Sequence, residues 1–405
     1  MTETTDTATR STPAPTGPGR HRLPAGVYLL GFSLFAMGSA EFLLAGVLPE
    51  VATDLSVPLS SAGLLITAFA LGVVVGGPPL AVLSLRWPRR TALIGTQAVF
   101  AASVAVGLLG GYELLLVSRV VSGVAYAGFF AVAAVTAAAM VPPERTARAA
   151  AVVVSGLSIA MVAGGPAGTL LSHFIGWRGG FWVVVVLTAV GIGGSLLGIA
   201  APATGSAPMA RPDVRRELRT LRTPALWSIF AITILTTAAY MITFNYLAAM
   251  LTEVTAVPSV WVPAILALFG IGAFAGLSLG GRIADRRPHL ALAAGTIAMA
   301  ILSSILAVAM GSAAVVVPTV FLLGVAAFVL NPALYSRVFA LAGDAPTLAG
   351  ATTVSAFQLG ISGTPVLAAL TLTRGVALTS VCVIGAALAV LALPIIRADR
   401  MGHRR

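Results

Sequence analysis

Glu41 has the clearest chemical potential in this sequence. It lies in the run FAMGSAEFLLAGVLPE and is the only carboxylate well inside an apolar stretch. A bare charge at such a depth in lipid is costly, so the side chain must face a protein interior or carry a proton part of the time. A carboxyl so placed suits proton binding and release, or contact with a solute; the other reading is a hydrogen-bond anchor to a neighbouring helix. Arg119, in LLLVSRVVSG, is the only arginine inside an apolar stretch and sits at a similar depth. It suits pairing or a proton relay with Glu41, or else snorkelling to the nearest interface. Tyr240, Asn245 and Tyr246, then Asn331 and Tyr335, then Gln358, place polar groups in later apolar stretches. A buried amide needs partners, so each is a clasp between helices or a solute contact. With Phe69, Phe129 and Phe269 they describe a mostly apolar pocket, suited to a lipophilic, uncharged solute.

A second group of residues suits motion. Gly165 and Pro166 stand in SGLSIAMVAGGPAGTLL, where small residues allow close helix approach and the proline frees a backbone carbonyl. That is a hinge or a tight interface. Asp54, in LPEVATDLSV, caps a following segment or shapes a gate. Arg86 and the group Asp285, Arg286 and Arg287 follow apolar stretches and suit a charged lock at helix ends.

Other chemistry is excluded. His21, His173, His289 and His403 fall in tails or loops, with no HExxH and no CxxC, so no metal site is expected. The single cysteine, Cys382, allows no intrachain disulfide. No GxxxxGK[ST] run occurs, so ATP is not the energy source and no cofactor is expected. The basic residues are all arginine, 24 against 13 acids, with a net charge of +11. Nucleic acid is not the partner, because the arginines are scattered over short loops between apolar runs.

These side chains need a scaffold, and composition names it. Hydrophobic residues make up 58% and charged residues 9%, against about 25% charged in soluble domains. Apolar runs long enough to cross a bilayer recur along the chain. The fold class is an all-α polytopic membrane protein with twelve transmembrane helices in two six-helix bundles. The spans are expected at 25–48, 60–85, 91–110, 114–141, 149–171 and 180–200, then 225–252, 260–280, 290–310, 314–335, 348–372 and 376–396. Residues 1–24 form a disordered cytoplasmic tail, 25–200 the first bundle, 201–224 a central cytoplasmic loop, 225–396 the second bundle and 397–405 a cytoplasmic tail. Residues 214–221 of the central loop form either a short amphipathic helix or a plain charged linker.

Arginine placement fixes the orientation. With the N-terminus inside, the inner segments hold 21 arginines and the outer loops only Arg178 and Arg374. That is a strong positive-inside bias, and it requires an even number of spans. The halves also echo each other: Ala81, Leu85, Arg86 and Pro88 align with Gly281, Asp285, Arg286 and Pro288 at an offset of 200. Duplicated halves around a central site are a transporter plan.

Several runs resemble a known family. GRIADRRP, SRVVSG at Arg119 and Gly123, and GLSIAMVAGGPAGT from Gly156 to Thr169 are similar to motifs of the major facilitator superfamily, the last to its antiporters. The stretch from Gly38 to Pro78 resembles the drug–proton exporters of its arabinose-efflux-like branch, and the chain looks most like the actinobacterial chloramphenicol exporters. The resemblance implies proton-driven drug efflux by alternating access, with Arg119, Gly165, Pro166 and Asp285 in the family's motif positions. It implies a multi-pass protein of the cytoplasmic membrane, working as a monomer, with a small lipophilic drug, protons and the bilayer as partners. The first-half copy departs from the motif: Leu85 stands where the acid is expected. A sugar or amino-acid permease of the same fold would carry more polar residues in its spans, and a membrane enzyme would need a catalytic cluster that the sequence lacks.

Overall fold

In the computed structural model of the protein, the described residues are 23–84, 87–142, 145–199, 223–284, 286–342 and 346–402. Most of the N-terminal tail, Arg86, the central loop with its candidate helix at 214–221, Asp285 and the last three residues lie outside them.

The described chain is helical throughout. Its elements are α1 (Ala25–Asp54), α2 (Leu59–Ser84), α3 (Arg89–Leu108), α4 (Tyr112–Ala139), α5 (Thr146–Ile159), a π-helical turn (Ala160–Gly164) and α6 (Gly165–Gly198). There follow α7 (Pro224–Glu253), α8 (Val262–Ala284) behind a 3-10 turn (Ser259–Trp261), α9 (Pro288–Ala309), α10 (Ala313–Val329), α11 (Asn331–Ala342), α12 (Pro346–Leu372) and α13 (Ser380–Gly402).

Eleven continuous apolar helical segments result, and one of them, Val152–Gly198, has 47 residues. At 1.5 Å per residue it is about 70 Å long, more than two bilayer cores of about 30 Å. Gly176 divides it, with φ 73° and ψ 163°. A left-handed φ is strained for any residue with a Cβ, so a glycine sits where span 5 turns back into span 6. The count is therefore twelve. The tenth span is broken instead into α10 and α11. Pro332 has no N–H for the carbonyl of Phe328, and the helix restarts through Leu334 N–H to Leu330 O at 2.9 Å.

Several helices run past their expected ends, among them those of spans 8 and 10, which reach Ala284 and Ala342. The apolar run of span 1 stops at Leu48, yet α1 continues through Pro49 to Asp54. Its extra turn is held by Thr53 Oγ1 donating to Pro49 O at 3.0 Å. The last helix reaches Gly402, beyond Ile396, because Asp399 has a buried partner, described below.

The halves repeat in space. Span 2 packs on span 4, and span 8 on span 10. Gly72 and Gly123 make the first contact so close that a Cβ on Gly72 would strike Val120 O and one on Gly123 would strike Phe69 O. In the second half Gly272 meets Phe321 O and Gly324 meets Phe269 O in the same way. Phe69 and Gly72 thus recur as Phe269 and Gly272, extending the 200-residue echo. Between the halves, span 2 lies along span 11 and span 5 along span 8, while spans 1 and 7 face each other. This seam between bundles is where the candidate residues converge.

Candidate functional site

Glu41 lies thirteen residues from the Asp54 end of α1 and sixteen from the other. At 1.5 Å per residue that is about 20 Å from the Asp54 end. It therefore lies near the middle of the helix, because α1 continues beyond its apolar run. Its side chain is buried, 7% exposed. Arg119 from span 4 attracts it electrostatically, and Gln358 from span 11 approaches its carboxyl. No ion pair within 4 Å joins Glu41 to Arg119 among the described residues.

Arg119 is seated by its own half. The guanidinium carbon lies 4.5 Å from the centre of the Phe69 ring, and Nε donates to Leu65 O at 3.4 Å. It is 3% exposed, so it does not snorkel. A stacked guanidinium keeps its positive charge in place within an apolar wall. Glu41 Oε1, Arg119 Nη1 and Gln358 Oε1 are buried without a hydrogen-bond partner. Three unsatisfied polar atoms around one seam suit a polar visitor, whether a proton or a solute.

Aromatic side chains surround this cluster. Tyr126 lies in electrostatic range of Glu41 and Tyr335, and so does Tyr240. The Tyr126 ring packs on Phe69 at 5.6 Å between centroids. Tyr240 packs on Phe328 at 5.4 Å, Phe244 on Phe269 at 4.7 Å, and Phe42 meets Phe244 edge-on across the seam at 6.4 Å. Tyr335 stacks on Phe357 at 5.7 Å. The result is a small polar centre in an aromatic shell.

The structure thus brings Glu41, Arg119, Tyr240, Tyr335 and Gln358 together. Asn245 and Tyr246 are not among them. Asn245 Nδ2 donates to Thr364 Oγ1 at 2.9 Å within the second half. Tyr246 points away from Glu41, toward Gly63 and Pro365; a Cβ on Gly63 would stand 2.5 Å from its hydroxyl. Both residues sit in the C-terminal half of α7, about one and a half turns beyond Tyr240, and so close the Asp54 end of the seam. Asn331 opens α11 beside the helix break, with Oδ1 buried and without a partner, and no contact ties it to Glu41. Tyr126 is the main residue the sequence reading missed. Its position seven residues after Arg119 was the available signal, since two helical turns return to the same face.

The gating residues divide similarly. Asp54 accepts hydrogen bonds from Arg178 and from Trp177 Nε1, the latter at 3.1 Å, tying the end of span 1 to the start of span 6. Gly165 would place a Cβ 2.7 Å from Phe42 Cβ, and a Cβ on Gly270 of span 8 would stand 2.6 Å from Val162 Cα. The π-helical turn ends two residues before Pro166; its wider loop accommodates a proline that cannot donate. Span 5 is thus wedged between spans 1 and 8. Arg286 is exposed. The buried charge pair near that end is a different one: Arg337 Nη2 binds both oxygens of Asp399, at 2.7 and 2.9 Å. His289, which begins a helix rather than lying in a loop, is 3.5 Å from the same carboxylate.

Contacts across the seam gather toward the Asp54 end. Thr67 Oγ1 donates to Ser362 O at 2.9 Å, and His173 Nε2 lies 3.0 Å from Ser259 O. Gly63, Tyr246 and Pro365 pack at the same end.

Two inward-turned bundles, a buried carboxyl at their seam and a proline-capped π turn in span 5 find a match in one sequence family. Residues 30–365 match the Major Facilitator Superfamily. The chain belongs to that superfamily. It is 40% identical over 351 residues to a chloramphenicol resistance protein of Streptomyces lividans, covering 86% of this chain and 90% of that one. It is 32% identical to the inner membrane transport protein YdhP of Escherichia coli, covering 90% and 93%, and 28% identical to a chloramphenicol efflux pump of Mycobacterium tuberculosis, covering 90% and 92%. Among solved structures, a bacterial homologue of the lysosomal transporter Spinster superposes with a TM-score of 0.71 at 18% identity, covering 94% of this chain and 99% of that one. The superfamily member is a multi-pass membrane transporter with a small-molecule substrate, not an enzyme.

Proposed function

We propose that this transporter exports a small, lipophilic, uncharged drug of the chloramphenicol type in exchange for protons, by alternating access. The observation that carries this reading is Glu41: a buried carboxyl on the seam, with one oxygen unpartnered and an arginine of its own half nearby. Such a group exchanges a proton with whichever side the seam opens to. The aromatic shell offers a flat solute its contact surface. The relatives named for chloramphenicol resistance and efflux support the solute class.

In this account the arginine-rich end faces the cytosol, in the cytoplasmic membrane, and one chain is the working unit. The contacts at the Asp54 end then seal the outer side. A drug enters from the cytosol or inner leaflet, displaces the proton from Glu41 and leaves outside after the bundles rock. The test is resistance in a susceptible host. Wild-type protein should raise the tolerated chloramphenicol concentration, an uncoupler should abolish the effect, and Glu41→Gln should lose it at equal membrane abundance. Full resistance from Glu41→Gln would remove the carboxyl from the cycle.

A further inference from the structure

Two neighbouring side chains at the seam each keep one buried acceptor unpartnered. Glu41 Oε1 belongs to the first half and Gln358 Oε1 to the second, and neither has a hydrogen-bond partner. Both side chains are more than nine-tenths covered, at 7% and 6% exposure, and they approach each other. A buried acceptor without a donor is costly, so the pair is incomplete as it stands. An ionised Glu41 and Arg119 sum to no net charge, so the site favours a neutral visitor. The rings of Phe42, Tyr240 and Phe244 supply an apolar wall beside it.

We propose that Gln358 is a specificity-determining residue. A neutral aromatic solute with two neighbouring hydroxyl donors, a 1,3-diol, gives one donor to Glu41 Oε1 and the other to Gln358 Oε1. The bound solute then bridges the two halves. Protonated Glu41 instead turns its own O–H toward Gln358 Oε1. That single proton satisfies the amide and removes the carboxylate acceptor, so proton and solute exclude each other at the same pair. The inference rests on the efflux reading and adds to it the functional groups that the solute must carry.

Thiamphenicol and florfenicol test this, because they differ at one terminal carbon: a hydroxyl in the first, a fluorine in the second. The aryl sulfone and dichloroacetamide are common to both. Uptake of each is measured in energised everted vesicles containing the full chain. A site built around donors loses about tenfold or more when one is missing, so the wild type should transport thiamphenicol about tenfold better. Gln358→Met should bring the ratio close to one. Chloramphenicol against its 3-O-acetyl ester repeats the comparison in the wild type alone and decides the matter should the variant fail to reach the membrane. A ratio near one in the wild type, or an unchanged ratio in Gln358→Met, overturns the role of Gln358. Transport of none of the four compounds refutes the efflux reading itself.

Discussion

Replacing Arg119 by lysine keeps the charge near Glu41 and removes the geometry that holds it. The guanidinium stacks on Phe69 at 4.5 Å, a contact that contributes about 1 kcal/mol for a buried cation over a ring. Its Nε also bonds Leu65 O at 3.4 Å; a charged hydrogen bond adds about 1.5 kcal/mol, less at this length. An ammonium lacks the planar fork and is more strongly hydrated, so it retains neither contact in the same seat. The combined loss of about 2 kcal/mol corresponds to about a 30-fold weaker hold on the cation beside Glu41. Arg119→Lys should therefore reduce drug-driven proton flux in everted vesicles by a factor on the order of 30, at unchanged membrane abundance. Arg119→Leu should abolish the flux, since the carboxylate then loses its counter-charge. Flux in Arg119→Lys within twofold of the wild type would show that the stacked geometry is irrelevant to coupling.

Three further outcomes follow from the packing. Gly176→Ala places a Cβ in open space but at φ 73°, so only backbone strain of about 1–2 kcal/mol acts; the purified protein should melt at a lower Tm while still transporting, and an unchanged Tm would contradict the strained turn. Gly63→Ala sets a Cβ 2.5 Å from the Tyr246 hydroxyl and should loosen the Asp54 end by about 1–3 kcal/mol, raising the labelling rate of Ser362→Cys by an impermeant thiol reagent in a Cys382→Ala background. Adding Tyr246→Phe should restore the closed state, and equal labelling in all three proteins would refute this seal. Asp399→Asn breaks a pair whose side chains are only 7% and 3% exposed; loss of one buried partner costs about 3 kcal/mol or more, so Tm should fall clearly, whereas an unaltered melting curve would place the pair in solvent.

The fold was legible because lipid allows few solutions. Apolar run length and arginine placement impose the twelve spans, and the echo around Pro88 and Pro288 anticipates the paired halves. Boundaries were less legible, since hydropathy marks the lipid-facing length and not the helix: α1 continues through Pro49, and α13 continues to bring Asp399 to Arg337. At the site, Glu41 and Arg119 declare themselves by their cost in an apolar run. Asn245 and Tyr246 resemble Tyr240 in type and differ only in the helix turn they occupy, so their place at the closed end appears only in three dimensions. Tyr126 was hidden among small apolar residues, although the helical repeat from Arg119 pointed to it. The buried Arg337–Asp399 pair had no sequence signal beyond two charges 62 positions apart.

The exchange itself is most directly tested in energised everted vesicles carrying the full chain, with an internal pH-sensitive dye. Chloramphenicol added to wild-type vesicles should dissipate part of the acid-inside gradient as drug is taken up and protons leave, and vesicles carrying Glu41→Gln should show no such response. A gradient untouched by drug in the wild type, or dissipated equally in Glu41→Gln, would contradict proton-coupled export through this carboxyl.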